Sequence, residues 1–282
     1  MGNQIVTLVS GIVLGIGLIL VLLPKILRKI GLHPHYEGES YNLEGKRALL
    51  ITTSHDSLGD QGKKTGVYAS EMTVPYYQFL DAKMTVDLAS IRGGKIPIES
   101  ASLKYPLATP QDRRFLQDVI FKGKVENSMS VDDVDVSNYD LIFLAGGWGA
   151  AYDLGTSQVL GEKLTQANAT NKVLGSVCHG ALGFVQAKEV NGQPLVKGKK
   201  MTAVTDKQVH ELKITITPMH PETELRKLGA NFKSNTAFKD VFANLVLVDG
   251  NIVTGQNQNA GAETAQTMMR LLIDGIKKGD EK

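Results

Sequence analysis

Short apolar runs alternate with helical patterns from residue 46 onward, and this alternation limits the possible folds more than any other feature. Strands are predicted at residues 48–52, 85–89, 141–145, 173–177, 201–204, 245–248 and 252–254. Helices are predicted at residues 66–82, 111–121, 157–169, 179–187, 222–228 and 261–276. Alternation of this kind is typical of an α/β fold, so the sequence predicts a mostly parallel central sheet.

The segment before this alternation is apolar and free of charge. All 31 basic and 29 acidic side chains follow residue 24, and only Thr7 and Ser10 are polar within residues 5–23. As a helix, residues 5–23 would reach roughly 28 Å, close to the ~30 Å hydrocarbon thickness of a bilayer. A cleaved signal peptide is the alternative, but no basic residue precedes the run and no A-x-A site follows it.

Basic residues directly after the apolar run indicate how it would be oriented. Lys25, Arg28 and Lys29 would hold this flank on the cytoplasmic side of a membrane. The sequence therefore predicts a transmembrane anchor at residues 1–24, a basic juxtamembrane tether at 25–45 and an α/β domain at 46–282. The predicted localisation is the cell membrane, single-pass, with the domain in the cytoplasm.

Charge balance and cysteine content exclude several classes of protein. The net charge is only +2, without a cluster of basic residues, which argues against nucleic acid as a partner. Cys178 is the single cysteine of the chain, so neither an intramolecular disulfide nor a Cys-x-x-Cys metal or redox motif can form. No metal site is predicted.

Cys178 stands where a predicted strand ends and a predicted helix begins. A nucleophile elbow requires small residues two positions before and after the nucleophile, and Ser176 and Gly180 meet that requirement. A helix N-terminus lowers the pKa of a thiol, and the thiolate is the reactive species. The alternatives are an inert buried cysteine at Cys178 and a helix-capping role for His179.

A second junction follows the strand at residues 141–145, where the sequence continues as Gly146-Gly147-Trp148-Gly149. Glycines at such a turn let backbone N–H groups face a ligand, as an oxyanion hole requires. A dinucleotide-binding loop is the alternative, although the G-x-G-x-x-G spacing is absent. In parallel sheets both junctions lie at the edge where ligands bind.

Several blocks of the sequence resemble the ThiJ/PfpI superfamily, in particular its branch of heat-shock chaperones and glutathione-independent glyoxalases. They are residues 54–59 (SHDSLG), 64–66 (KTG), Glu71, 75–79 (PYYQF), 93–98 (GGKIPI), 145–149 (AGGWG), 178–180 (CHG) and 253–257 (VTGQN). The resemblance implies a three-layer sandwich of the flavodoxin-like or class I glutamine amidotransferase-like kind. It does not include the predicted anchor.

The resemblance also implies roles for individual residues. Cys178 is similar to the family's nucleophile, Glu71 to its helical carboxyl group, and His179 to the adjacent base. The backbone N–H groups of Gly147 and His179 correspond to oxyanion donors, within a substrate-binding turn that includes Gly146 and Trp148. A carboxyl group beside a thiolate must be protonated or strongly hydrogen-bonded, so a raised pKa is expected for Glu71.

Two positions depart from the family's pattern. Trp148 stands where this branch commonly has histidine. The acid that orients the base is expected at the position of Val209, and Asp206 and Glu211 are the nearby substitutes. These departures affect the expected activity more than the expected fold.

The function implied by the resemblance is a cofactor-independent, glyoxalase III-like lyase of the D-lactate dehydratase type. It would convert methylglyoxal or a related 2-oxoaldehyde to a 2-hydroxy acid through a hemithioacetal on Cys178, protecting against carbonyl stress, and family members are commonly homodimers. One alternative is a glutamine amidotransferase-like hydrolase using His220 and Glu222. Another is a membrane-tethered holdase chaperone or a redox sensor that oxidises at Cys178.

Overall fold

The computed structural model describes residues 17–59 and 62–275. Its first helix, α1, covers residues 17–29 of the described chain. The other helices are α2 (Ala69–Asp81), α3 (Pro110–Gln117), α4 (Val119–Glu126), α5 (Ala150–Asp153), α6 (Gln158–Ala169), α7 (Asp206–Glu211), α8 (Pro221–Lys227) and α9 (Gly261–Asp274). The strands are β1 (Arg47–Thr52), β2 (Ser57–Leu58), β3 (Lys63–Lys64), β4 (Thr85–Ser90), β5 (Met129–Ser130), β6 (Leu141–Leu144), β7 (Val173–Val177), β8 (Lys200–Met201), β9 (Asn231–Phe232), β10 (Val246–Asp249) and β11 (Ile252–Gly255).

Seven strands of the described chain form one sheet, in the order β10-β11-β7-β6-β1-β4-β5. Neighbouring strands run parallel except β10 and β11, which form an antiparallel hairpin. The predicted α/β fold with a mostly parallel central sheet is therefore confirmed.

Side chains of the central strands alternate between two apolar clusters because successive residues of a strand point to opposite faces. Leu50 packs in the cluster that includes residues of α2 and α9. Leu49 and Ile51 pack in the cluster that includes residues of α6. Helices thus cover both faces, which explains why the central strand β6 is entirely apolar and β1 is apolar from Ala48 to Ile51.

Two predicted elements away from Cys178 differ from the structure. The helix predicted at residues 111–121 is divided at Asp118, whose carboxylate accepts a hydrogen bond of 2.9 Å from the backbone N–H of Phe121 and so caps α4. The strand predicted at residues 201–204 is the short β8, which pairs with β9 outside the central sheet. Both differences arise from local capping and pairing that apolar periodicity does not encode.

The predicted transmembrane helix and cell-membrane localisation are corrected by the structure. Within residues 17–59 and 62–275, no helix is both long enough and apolar enough to cross a bilayer. The physical reason is that helix α1 continues through Lys25, Arg28 and Lys29, so its described apolar part is short. Residues 1–16 of the predicted anchor lie outside the described residues.

The segment predicted as a tether packs against the α/β domain. Leu32 and Leu43 are both buried, each only 7% exposed. The backbone N–H of Leu43 donates to the Ala82 carbonyl at the end of α2 over 2.8 Å. Residues 30–43 therefore contribute apolar contacts to the domain, while the domain boundaries themselves stay a prediction.

Candidate active site

The two junctions singled out in the sequence lie side by side. Strands β6 and β7 are parallel neighbours, with Leu144 opposite Ser176. Because the carboxyl ends of parallel strands meet at one edge of the sheet, the glycine turn after β6 faces Cys178 after β7.

Cys178 occupies a sharp backbone turn. Its φ is 56°, a left-handed conformation that costs an ordinary residue on the order of 1–2 kcal/mol. Ser176 is fully buried, and a Cβ at Gly180 would collide with the Leu144 carbonyl, so both neighbouring positions require small residues. The helix predicted at residues 179–187 is instead a short 3-10 helix, Cys178–Phe184.

The glycine turn brings backbone donors to the thiol. A Cβ on Gly146 would lie 2.6 Å from both the Glu71 Oε2 atom and the His179 backbone nitrogen. Gly147 has a φ of 101°, which strongly favours glycine. The backbone N–H groups of Gly147 and His179 face the Cys178 thiol and act to lower its pKa. These are the donors expected for an oxyanion hole.

Glu71 lies in the first turn of α2 and is only 1% exposed. Burial raises the pKa of Glu71 from 4.5 to about 8, although the Cys178 thiol and the Gly146 backbone N–H both favour the ionised form. Its Oε2 atom has no hydrogen-bond partner among the described residues. Glu71 is therefore a neutral acid at neutral pH, and one of its oxygens is free to bind another group.

The thiol of Cys178 titrates together with Glu71. Burial raises the pKa of Cys178 well above its ordinary value, and the negative charge of an ionised Glu71 raises it further. Protonation of Glu71 removes this repulsion and supplies an O–H that can donate to the sulfur. The pair therefore accommodates one negative charge far more readily than two.

His179 is buried beside the thiol and uncharged. Its Nδ1 atom lies 3.5 Å from the Cys178 Sγ atom, and its Nε2 atom has no partner among the described residues. Burial lowers the pKa of His179 to about 3, with a smaller contribution from the charge of His220. The Trp148 ring lies 4.8 Å from the imidazole, between ring centroids.

Asp206 and Glu211, the predicted substitutes for an orienting acid, bind other groups. The Asp206 Oδ2 atom accepts a hydrogen bond of 2.7 Å from the Thr223 hydroxyl. The Glu211 Oε2 atom accepts one of 2.8 Å from the backbone N–H of Asp240. In the described part of the chain neither acid is hydrogen-bonded to His179. The contact between the Cys178 thiol and Nδ1 therefore decides which ring nitrogen of His179 carries the proton.

His220 and Glu222, which suggested an amidotransferase, belong to the start of α8. His220 is the residue before the first turn of that helix. The Glu222 carboxylate accepts hydrogen bonds of 3.0 Å from the Asp206 backbone N–H and from Arg226. Among described residues, neither lines the cavity at Cys178.

Cys178 opens into a cavity of about 350 Å³. The part of the cavity around the thiol, which we call the inner side, is lined by Glu71, His179, Gly147 and Trp148. The structure thus brings these predicted residues together. Sequence analysis missed other lining residues, namely Leu27, Leu32, Tyr68, Leu107, Val204, Gln208, Leu212, Ile214, Val241, Phe242 and Gln258. Tyr68 could have been suspected because it lies one helical turn before Glu71, whereas no local signal places Leu27 or Leu32 over a cavity.

The chain is similar to known proteins over most of its length. The glutathione-independent glyoxalase hsp3101 of Schizosaccharomyces pombe is 30% identical over 237 residues, covering 81% of this chain and 96% of that protein. The crystal structure of glyoxalase III from Candida albicans is 27% identical with a TM-score of 0.73, covering 80% of this chain and 96% of that one.

A further solved structure, the Rapid Encystment Protein 24 KDa of Francisella tularensis, is 32% identical with a TM-score of 0.75, covering 80% of this chain and 99% of that one. The model of the DJ-1/PfpI family matches residues 64–271. The resemblance noted in the sequence is confirmed: this chain belongs to the DJ-1/PfpI family.

Proposed function

We propose that this protein is a glutathione-independent glyoxalase that converts a 2-oxoaldehyde to a 2-hydroxy acid. The observation that supports this most strongly is the pairing of a buried thiol, Cys178, with a carboxyl group, Glu71, whose pKa is about 8. Relatives named as glutathione-independent glyoxalases give independent support.

In the first step the Cys178 sulfur attacks the aldehyde carbon of the substrate. A carbon–sulfur bond forms, and the carbonyl electron pair moves to the oxygen, which takes up the proton that the thiol loses. The N–H groups of Gly147 and His179 would stabilise the developing oxyanion. The product of this step is a hemithioacetal.

In the second step a proton moves between the two former carbonyl carbons. A base removes the hydrogen on the sulfur-bearing carbon, the electron pair forms an enediol, and a proton then adds to the neighbouring carbon. The former aldehyde carbon is oxidised to a thioester and the former ketone carbon is reduced to an alcohol. The exchange is internal, so no external oxidant is consumed.

In the last step water attacks the thioester carbon. The carbon–sulfur bond breaks, the thiol regains its proton, and the 2-hydroxy acid leaves. One water is added to the 2-oxoaldehyde over the whole cycle, and Cys178 returns to its starting state.

Glu71 is better suited than His179 to move the proton. A general acid or base works best when its pKa lies near the operating pH. The pKa of Glu71 is about 8, whereas that of His179 is about 3. We therefore assign proton transfer to the ionised form of Glu71, which is the minor form near neutral pH and becomes the major form above about pH 8. To His179 we assign the positioning of the thiol through its Nδ1 atom, 3.5 Å from Sγ.

The other functions gain less support. A redox sensor needs an exposed thiol of low pKa, whereas Cys178 is 6% exposed and burial raises its pKa. An amidotransferase would need His220 and Glu222 at the thiol, but Glu222 is hydrogen-bonded to Asp206 and Arg226. The chaperone function and the homodimer stay predictions.

The test is lactate formation from methylglyoxal by the purified full-length chain without glutathione. We expect turnover by the wild type and a loss of at least about 10⁴-fold in Cys178→Ala, because the nucleophile is removed. Equal rates in the two proteins, or no conversion of any 2-oxoaldehyde by the wild type, would refute the proposal.

A further inference from the structure

The cavity has two unlike sides. Its inner side contains the titratable groups Glu71, Cys178 and His179. The rest of the lining is mostly apolar and includes Leu27, Leu32, Leu107, Ile214, Val241 and Phe242, with Tyr68, Gln208 and Gln258 as its polar members. We call residues 26–33 the roof, since this segment supplies Leu27 and Leu32.

Specific contacts with Asn259 and Phe242 hold the roof against the α/β domain. The backbone N–H of His33 donates to the Asn259 Oδ1 atom over 2.8 Å. Gly31, with a φ of 111°, packs so closely that a Cβ there would collide with the Phe242 carbonyl. Leu32 is only 7% exposed. These contacts hold the apolar side chains of the roof over the cavity.

Nothing about the roof follows from family membership, since the family model matches residues 64–271 and the roof precedes them. A cavity of about 350 Å³ lies within the roughly 300–1,000 Å³ typical of pockets for ligands much larger than methylglyoxal. Methylglyoxal has a single methyl group to place against this apolar side. Its size and polarity match only the inner side of the cavity.

From this shape we infer that the substrates are 2-oxoaldehydes with an apolar tail, such as a straight alkyl chain of about six carbons or an aromatic ring. The two carbonyl carbons would lie at Cys178 and Glu71, and the tail would lie under Leu27 and Phe242. This inference rests on the proposed function and adds the substrate class to it.

A series of alkylglyoxals tests the inference on the full-length chain. Each methylene buried in an apolar site strengthens binding about fourfold. We expect kcat/KM to rise by at least about tenfold from methylglyoxal to hexylglyoxal, mainly through a lower KM. Conversion of methylglyoxal with no gain along the series would overturn the inference and leave the proposed function intact.

The roof itself is tested by Leu27→Gln, with Ile26→Gln as the matched control. Ile26 is the neighbouring residue of α1 and is 52% exposed, so it does not line the cavity. Leu27→Gln should lower kcat/KM for hexylglyoxal about tenfold and change that for methylglyoxal less than about twofold. Equal behaviour of the two variants would overturn the role of the roof.

Binding without catalysis separates the two proposals. Trp148 is the one tryptophan of the chain and lines the cavity, so its fluorescence reports ligand binding. In full-length Cys178→Ala, 1-hydroxy-2-octanone should bind at least about tenfold more tightly than hydroxyacetone. Tighter binding without turnover of any 2-oxoaldehyde in the wild type would refute the proposed function and, with it, the substrate class. Equal binding of the two ketones would refute the apolar preference directly.

Discussion

The inner side of the cavity and its roof differ in chemistry and in origin. The inner side consists of the buried titratable groups Glu71, Cys178 and His179, which are positioned by strands β6 and β7 and by helix α2. The roof is apolar and is held by a few contacts to distant parts of the chain. Under the proposed function, this difference predicts that the reaction and the choice of substrate are separable, because each would depend on a different part of the cavity lining.

The strongest way to test this separation is Glu71→Gln. The amide retains a donor near the sulfur but cannot transfer a proton, so kcat should fall about 10²–10⁴-fold for short and long 2-oxoaldehydes alike. Steady-state kinetics with both substrates measures this. Glu99→Gln is the control, since Glu99 is partly buried and, like Glu71, has a raised pKa, but does not line the cavity. A loss limited to the long substrate would contradict the separation.

The same variant tests the electrostatics of the inner side. Because burial raises the pKa of Glu71 to about 8, its contribution to stability is complete below pH 4.5 and is lost as the pH rises to 8. Between these limits the wild type should lose on the order of 4 kcal/mol more unfolding free energy than Glu71→Gln. Urea unfolding at both pH values measures the difference. Parallel pH dependence of the two proteins would show that Glu71 is not buried as a neutral acid.

A smaller effect is expected from Gly31→Ala in the roof. Its methyl group would collide with the Phe242 carbonyl and displace the roof. We expect KM for hexylglyoxal to rise about tenfold, with little change for methylglyoxal. Gly45→Ala is the matched control, because Gly45 also has a positive φ, 83°, but open space around its Cα. If both variants leave KM unchanged, the roof does not select the substrate.

The smallest effect is expected at His179. A base of pKa about 3 contributes little to proton transfer near neutral pH, so His179→Gln should lower kcat by less than about tenfold. His210→Ala is the control and should leave kcat unchanged, because His210 is exposed and does not line the cavity. A loss in His179→Gln as large as that in Glu71→Gln would identify the imidazole as the base.

The inner side of the cavity was largely predictable from sequence. Cys178 and the Gly146-Gly147 turn follow apolar strands directly, and parallel strands bring such junctions together. The pairing with Glu71 came from the family resemblance, because a single carboxylate on a helix gives no local signal. Among the described residues His179 donates no hydrogen bond to Asp206 or Glu211, because tertiary contacts engage these carboxylates elsewhere.

The roof was not predictable in the same way. Apolar periodicity identifies side chains that avoid water. It does not tell whether such side chains line a cavity, as those of the roof do, or flank a membrane-spanning helix. Leu27 and Leu32 fall within the predicted tether at residues 25–45. They line the same cavity as Phe242 and Ile214, which are far away in sequence.

The hydrogen bond between His33 and Asn259 joins residues 226 positions apart, and this distance has a consequence for biosynthesis. A ribosome adds about 5–20 residues per second, so Asn259 is made roughly ten seconds or more after His33. During translation the roof is therefore synthesised before Asn259, the residue to which it is hydrogen-bonded. The roof can therefore take up its position over the cavity only after Asn259 has been synthesised.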